Sequence, residues 1–178
     1  NALAATLYIL GLPGSTYMYQ GEELGLHEVT DIPEKDIQDP QYLRNLKVDK
    51  GRDGCRVPLP WTKTGSSFGF GTGGAHLPQP NWFADYSVEA EEKDSSSPLS
   101  IYRTALALRK ELQSKEVIKW HKTKDISVLH YSRPNGWHCI TNFRGHPYPM
   151  PKGEILIASS PLVNGRITAG TTVWFWKK

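Results

Sequence analysis

The chain has 178 residues, 38% hydrophobic and 22% charged, which is enough for one or two globular domains with a buried core. The net charge is only +3, and the densest basic region, Arg103 to Lys124, lies mostly on a predicted helix face without an RNA-binding motif. We therefore expect no nucleic-acid partner. The two cysteines, Cys55 and Cys139, have no CxxC or Cys/His spacing, which argues against a disulfide scaffold or a zinc site and favours a reducing, cytoplasmic setting.

The N-terminal segment is apolar on nearly every side. Ala2 to Leu10 is rich in alanine and leucine, which predicts a helix buried on several faces and ended by Pro13 and Gly14. The run up to Leu12 is too short to span a bilayer and lacks the pattern of a signal peptide, so we expect no membrane partner. The chain starts at Asn1, without a Met and inside this apolar run, so we expect that preceding chain is missing.

A short strand is predicted next. Ser15 to Gln20 is rich in threonine and tyrosine and ends at Gly21. A helix, a tight turn, a strand and a polar loop together form one unit of an α/β barrel, in which the loops after the strands carry the site.

The segment from Glu22 to Ser97 is predicted to be long and mostly irregular. Loops of this length are either functional or disordered. Its aromatic residues argue against disorder and predict an ordered wrap over a larger body. These aromatic residues are Trp61, Phe68, Phe70, Trp82, Phe83 and Tyr86.

Within this segment, the stretch GRDGCRVPLPW, Gly51 to Trp61, is the strongest candidate for ligand binding. Arg52 and Arg56 lie four residues apart on a loop that two prolines stiffen, and Trp61 offers an aromatic face that suits a sugar ring. Arginine presents several fixed N–H donors that can grip a hydroxyl-rich or anionic ligand. The alternative is a structural loop in which Arg52, Asp53 and Arg56 only neutralise their neighbours. Local sequence leaves both interpretations open.

A helix is predicted from Ser97, which is suited to the N-cap, with Pro98 at the first helical position. An apolar stripe then recurs at steps of three and four residues, which is typical of an amphipathic helix. The stripe consists of Ile101, Ala105, Leu108 and Leu112, and the residues expected to face water are Arg103, Arg109, Lys110 and Glu111.

From Val117 onward, residues with strand propensity alternate with turn signals, which predicts a small antiparallel β domain. The predicted strands are 126–131, 137–142, 154–158 and 171–176, and the predicted turns are 134–136, 147–153 and 164–165. The predicted domains are therefore 1–116, with a long loop over 22–97, and 117–178.

Reactive groups are sparse. Glu22 and Glu23 follow the predicted strand, but adjacent strand residues point to opposite faces, so we expect them to anchor the loop rather than form a catalytic pair. Cys55 has no assignable base and is interpreted as a packing residue. The six histidines show no metal-ligand spacing, and the glycine-rich residues 64–74 lack a phosphate-loop context, so we predict no metal and no cofactor.

The order of four motifs is similar to the C-terminal part of the α-glucosidases and oligo-1,6-glucosidases of the α-amylase family of retaining glycoside hydrolases. These motifs are LYILGLPGSTYMYQGEELGL, GRDGCRVPLPW, LSIYRTALALRKEL and the final TTVWF. The resemblance implies a fold of the α/β plus all-β class, in which the end of a (β/α)8 barrel precedes a small antiparallel β domain. Residues 2–12 then resemble barrel helix 7, 15–20 strand 8 and 99–114 helix 8.

The resemblance also implies which functional residues this chain carries. The family's nucleophilic Asp, acid/base Glu and stabilising Asp all lie upstream of the matched segment, so no catalytic residue is expected here. Arg52 matches the arginine that holds the non-reducing glucose, and Arg56 matches a second arginine that supports the loop. Cys55 and Pro60 stand where oligo-1,6-glucosidases often have Ala and Gln, which favours another linkage preference.

The resulting prediction is the C-terminal part of an exo-acting, retaining α-glucosidase that releases glucose from short α-glucosides. The expected partners are α-glucoside oligosaccharides and the missing N-terminal part of the barrel, without which the chain is expected to be inactive. One alternative is a non-catalytic carbohydrate-binding module, for which Trp120, Trp137 and Trp174 would form an exposed row. The other is a transglycosylase or sugar isomerase of the same family.

Overall fold

The structure is a computed structural model that describes residues 2–45 and 48–178. Asn1, Leu46 and Lys47 lie outside the described residues, so the predictions about the chain start and about part of segment 22–97 are not addressed there. The chain forms two compact units. The first, called the sheet unit, combines the residues up to Met18 with Ile101–Lys178, and the second, called the loop unit, is Tyr19–Ser100.

The sheet unit contains a five-stranded antiparallel sheet in the order β1-β2-β3-β7-β5 and a separate two-stranded sheet, β4-β6. This confirms the predicted antiparallel β domain. The strands are β1 (Lys119–Trp120), β2 (Val128–Ser132), β3 (Trp137–Asn142), β4 (Tyr148–Pro149), β5 (Gly153–Ala158), β6 (Arg166–Ile167) and β7 (Thr171–Lys177). The short strand β4 lies inside the segment 147–153, where only a turn was predicted. Ile126 was predicted to begin β2, but it lies outside the strand and is 98% exposed.

Both faces of the large sheet are covered, so its central strands are buried throughout. On one face, Tyr131, Trp137 and Trp174 pack with the helices of the sheet unit. On the other face, Ile140 and Phe175 pack with residues of and around the small sheet. All six residues of β3 are buried, including the polar His138, Thr141 and Asn142.

The described residues form two longer helices, α1 (Ala2–Gly11) and α4 (Pro98–Glu111), as predicted. Ser97 accepts the N–H of Ser100 at 3.2 Å, which is the expected N-cap contact. Arg109 was predicted to face water, and that prediction is wrong. Its guanidinium donates to the carbonyl of Leu10, in the last turn of α1, and to those of Leu12 at 2.8 Å and Gly14 at 2.6 Å just beyond the helix. The C-terminal end of a helix presents unpaired carbonyls that attract a cation.

The predicted strand over residues 15–20 is not formed. Residues 15–19 have no regular secondary structure, and no strand pairing within 2–45 and 48–178 involves them. Tyr17 is 94% exposed. A strand exists through its hydrogen bonds to neighbouring strands, and the described part of the chain offers this segment no such neighbour.

The loop unit confirms the predicted irregular segment over its described residues. It contains α2 (Pro40–Arg44), α3 (Val88–Glu91) and 3-10 turns at Glu22–Leu24, Glu34–Asp36, Asp53–Cys55, Ser66–Gly69 and Asn81–Tyr86. A small apolar core of Val29, Ile32, Val57, Leu77 and Phe83 holds these turns together. In the described part of the chain, no helix combines the length and the apolar character needed to cross a membrane.

Candidate functional site

The loop from Gly51 to Trp61 is fastened to the segment around Asp39 by two buried carboxylates that accept backbone N–H groups. Asp53 accepts the N–H of Asp39 at 2.8 Å and also the N–H of Gln38. In return, Asp39 accepts the N–H of Arg52 at 2.9 Å. Hydrogen bonds to a carboxylate are about twice as strong as neutral ones, so this reciprocal pair fixes the course of the loop.

Asp39 carries two further contacts. As the N-cap of α2, it accepts the N–H of Gln41 at 2.9 Å, and its carboxylate forms an ion pair with Arg56 at 3.4 Å. The N–H groups of Gln41 and Arg52, together with the charges of Arg56 and Arg52, hold the pKa of the Asp39 carboxyl below its usual value. Asp39 therefore stays ionised and keeps the loop anchored at neutral pH.

The two arginines of the loop have different surroundings. Arg56 is partly buried and pairs with Asp39, which fits a supporting role. Arg52 is exposed, and its guanidinium has no hydrogen bond to any residue in 2–45 or 48–178. The structural interpretation therefore describes Arg56, which pairs with Asp39, and Asp53, which accepts backbone N–H groups, while the side chain of Arg52 remains free to contact a ligand.

Two glycines of the motif are required by close contacts. Gly51 has φ of +72°, and a Cβ there would lie 2.6 Å from the carboxyl carbon of Asp39. A Cβ on Gly54 would overlap the carbonyl oxygen of Val29 and lie 2.7 Å from Cγ of Glu28. The N–H of Val29 also donates to the carbonyl of Gly54 at 3.1 Å. The spacing of glycines in GRDG therefore follows from how tightly this loop packs.

We expect Gly54→Ala to lower the free energy of unfolding by about 1–3 kcal/mol, because the added methyl group meets backbone that cannot move aside. Gly73→Ala is the matched control, since a Cβ at Gly73 meets nothing within 4 Å, and a change within about 0.5 kcal/mol is expected there. Urea unfolding of both variants measures the difference. Equal stabilities would contradict the proposed close packing at Gly54.

Two cavities lie beside the motif. One, of about 110 Å³, is lined by residues that include Tyr19, His27 and Cys55. The other, of about 220 Å³, is lined by residues that include Thr30 and Lys50. Gly54 and Glu28 line both cavities, so the loop forms a wall between two small depressions.

The structure also describes the surroundings of Glu23 and of the two cysteines. Glu23 accepts the N–H of Gly21 at 2.9 Å, which is the predicted loop-anchoring contact. Both cysteines are free. Burial raises the pKa of the Cys139 thiol to about 12, and the sulfur of half-buried Cys55 contacts the carbonyl of Arg52 at 3.1 Å.

Glu91 is another buried carboxyl group of the loop unit. No role was predicted for it from the sequence. Burial raises the pKa of this carboxyl, although it accepts the N–H of Leu99 at 3.0 Å. That contact lies in the first turn of α4, where a carboxylate favourably meets unpaired N–H groups. Glu91 is therefore a helix-capping residue.

Comparisons with known proteins agree with these motifs. The chain belongs to the α-amylase family, since the family described as "Alpha amylase, catalytic domain" matches residues 1–118. A probable alpha-glucosidase of Rhizobium meliloti is 35% identical over 130 residues, covering 72% of this chain and 23% of the relative. A probable oligo-1,6-glucosidase of Bacillus subtilis is 32% identical over 126 residues, covering 61% of this chain and 22% of the relative.

Among solved structures, an alpha-glucosyl transfer enzyme is similar over 98% of this chain and 35% of its own, with 30% identity and a TM-score of 0.76. The resemblance to the family is thereby confirmed. The chain spans about a quarter of the length of the curated relatives that it matches.

Proposed function

We propose that this chain is the C-terminal part of a longer, retaining and exo-acting α-glucosidase, in which Arg52 binds the non-reducing glucose of a short α-glucoside. The observation that carries the proposal is the free, exposed guanidinium of Arg52 on a loop whose backbone is anchored by Asp39 and Asp53. The names of the matched relatives, an alpha-glucosidase and an oligo-1,6-glucosidase, point to the same substrate class.

In the proposed enzyme, the catalytic carboxyl groups and the sugar-binding arginine come from different parts of the chain. Retaining hydrolysis uses two carboxyl groups about 5–5.5 Å apart, one as nucleophile and the other as acid and base. In the proposed enzyme these groups come from barrel residues upstream of this chain. Residues 1–116 then complete the barrel, 117–178 form the C-terminal domain, and Arg52 positions the sugar ring without entering the reaction.

The role proposed for Arg52 is orientation. A guanidinium offers a rigid set of donors that can contact two hydroxyl groups at once. The backbone hydrogen bonds to Asp39 and Asp53 hold the Cα of Arg52 in place. Correct placement of the bound sugar lowers the barrier because less motion has to be restricted in the transition state. Arg56 contributes indirectly, through its ion pair with Asp39.

The test is product analysis with the longer protein that contains this chain. Maltose is expected to yield glucose as the main product. With an aryl α-glucoside, whose only sugar product is the transferred glucose, proton NMR should detect α-glucose first, as retention requires. Release of the β-anomer first would contradict the retaining mechanism. Failure to act on maltose, sucrose or an aryl α-glucoside would contradict the proposed class of enzyme.

A transglycosylase or sugar isomerase of the same family is the second candidate. It is favoured by the likeness to the alpha-glucosyl transfer enzyme, which extends over 98% of this chain at 30% identity. The same experiment separates the two candidates, because transfer yields longer or rearranged disaccharides from maltose or sucrose, whereas hydrolysis yields monosaccharides.

A carbohydrate-binding module built on a row of tryptophans is not supported. Trp137 and Trp174 are 2% and 0% exposed, and of the three residues of the predicted row only Trp120, at 54%, offers its ring to solvent. The ring centroids of Trp137 and Trp174 lie 5.0 Å apart inside the helix-facing core. These two rings contribute to packing and offer no platform for a sugar.

A further inference from the structure

Three histidines that are far apart in the sequence meet in the sheet unit. His130 lies on β2 and His138 on β3, while His121 follows β1 and donates its backbone N–H to the carbonyl of His130 at 2.9 Å. The antiparallel pairing of β2 and β3 places His130 opposite Ile140 and His138 opposite Ser132. His130 lies two residues before Ser132 on β2. Because side chains two residues apart on a strand point to the same face, His130 and His138 share one face of the sheet.

The three rings form one compact cluster. The ring centroids lie 4.6 Å apart for His121 and His130, 5.0 Å for His121 and His138, and 5.1 Å for His130 and His138. One nitrogen from each ring lies within 4.8 Å of the others. In the closest pair, Nε2 of His130 and Nδ1 of His138 are 2.9 Å apart.

We propose that His121, His130 and His138 form a binding site for a divalent transition-metal ion such as Zn²⁺. Zinc binds histidine nitrogens at about 2.0–2.1 Å, so the ligand nitrogens of a tetrahedral site are separated by about 3.3 Å. The His130–His138 pair is already that close, and small rotations of the rings bring the third nitrogen into range. A water molecule would complete the four ligands, as in other sites with three protein ligands.

The surroundings hold the rings in a form that can bind metal. Nε2 of His121 is 2.8 Å from Oγ of Ser132, a contact of the kind that orients a metal-binding imidazole through its second nitrogen. Burial lowers the pKa of all three histidines, to about 4 for His130 and His138.

Two features of the site bear on which ion it binds and how tightly. Three imidazoles are ligands that suit zinc, copper and nickel rather than calcium or magnesium. The ammonium groups of Lys119 and Lys177 act electrostatically on His121, and they oppose a bound cation. Nε2 of His130 and Nδ1 of His138 face each other, and one of them carries the proton of their hydrogen bond. When the metal binds, that proton would move to the other nitrogen of the ring that carries it.

Bound metal would tie three neighbouring strands together. The site joins the end of β1, which is only two residues long, to the longer strands β2 and β3. An ion that binds only the folded chain stabilises it according to its concentration relative to Kd. The expected consequence is a higher Tm, independent of any catalytic activity.

The experiment uses the 178-residue chain without a polyhistidine tag, stripped with EDTA and titrated with Zn²⁺ in a calorimeter at pH 7.5. We expect one Zn²⁺ per chain and a rise in Tm of several degrees. His121→Gln and His130→Gln should each weaken binding at least about tenfold. The matched control is His146→Gln, because His146 is an exposed histidine of the same unit outside the cluster.

A second measurement removes the dependence on variants that fold poorly. In the wild-type chain, Zn²⁺ should protect the half-buried His121 and His130 from modification by diethylpyrocarbonate, as read by mass spectrometry, while the exposed His146 stays reactive. The proposal would be overturned by the absence of stoichiometric binding, by equal protection of His146, or by unchanged affinity in both cluster variants.

Discussion

Replacing Arg52 by alanine in the longer enzyme is expected to lower kcat/KM for α-glucosides by about 10- to 100-fold. Hydrogen bonds to charged groups contribute about 1.5–3 kcal/mol, and each 1.4 kcal/mol corresponds to about a factor of ten. The structure explains why this substitution should weaken substrate binding and leave the loop intact. The Arg52 side chain has no hydrogen bond to the described residues, whereas its backbone N–H donates to the Asp39 carboxylate at 2.9 Å. Alanine keeps that N–H, so the loop should remain in place.

Two comparison variants make the Arg52→Ala experiment specific. Arg52→Lys keeps the charge but loses the planar set of donors, so it should recover only part of the activity. Arg144→Ala removes an exposed arginine of the sheet unit and should leave kcat/KM unchanged. Steady-state kinetics with an aryl α-glucoside measures all three variants. An Arg52→Ala enzyme with the same kcat/KM as the wild type would refute the substrate-binding role.

Trp174→Ala is expected to lower the free energy of unfolding by about 3–5 kcal/mol, the range found when a large buried aromatic residue is removed. Trp174 is fully buried, packs against Trp137 and donates its indole N–H to the carbonyl of Leu7 at 3.0 Å. It therefore connects β7 to helix α1. Its loss removes a sizeable part of the 5–15 kcal/mol that stabilises a typical domain.

Trp120→Ala is the matched control for this prediction. The ring of Trp120 is 54% exposed and makes one edge contact with Tyr131 at 5.6 Å. Such a contact contributes about 0.5–1.5 kcal/mol, so the loss should be about 1 kcal/mol. Guanidinium unfolding monitored by circular dichroism compares the two variants. If both lost the same stability, Trp174 would not be the core residue described.

Elements with strong local signals could be predicted from the sequence. Ser97 and Pro98 marked the start of α4, and the runs of strand-forming residues at 137–142 and 171–176 marked β3 and β7. The strand predicted over 15–20 failed because strand formation depends on pairing with neighbours, which local composition does not report. Arg109 was misassigned for a related reason, because its partners are carbonyls about a hundred residues away.

The candidate site was only partly predictable. The motif identified Arg52 and Arg56, but the different surroundings of the two arginines depend on Asp39, which lies more than ten residues upstream. A local signal for Asp39 did exist, since Asp followed by Pro40 is a favourable N-cap sequence. The histidine cluster had no such signal, because it depends on the register of three strands.

Hydrolysis of an aryl α-glucoside, measured side by side for the isolated chain and for the longer protein, tests the central claim most directly. The claim is that this chain supplies the glucose-binding loop of an α-glucosidase without the carboxylates that cleave the bond. The expected result is turnover by the longer protein and none above background by the clean, folded chain. Turnover by the chain alone, or none by either protein, would contradict the claim.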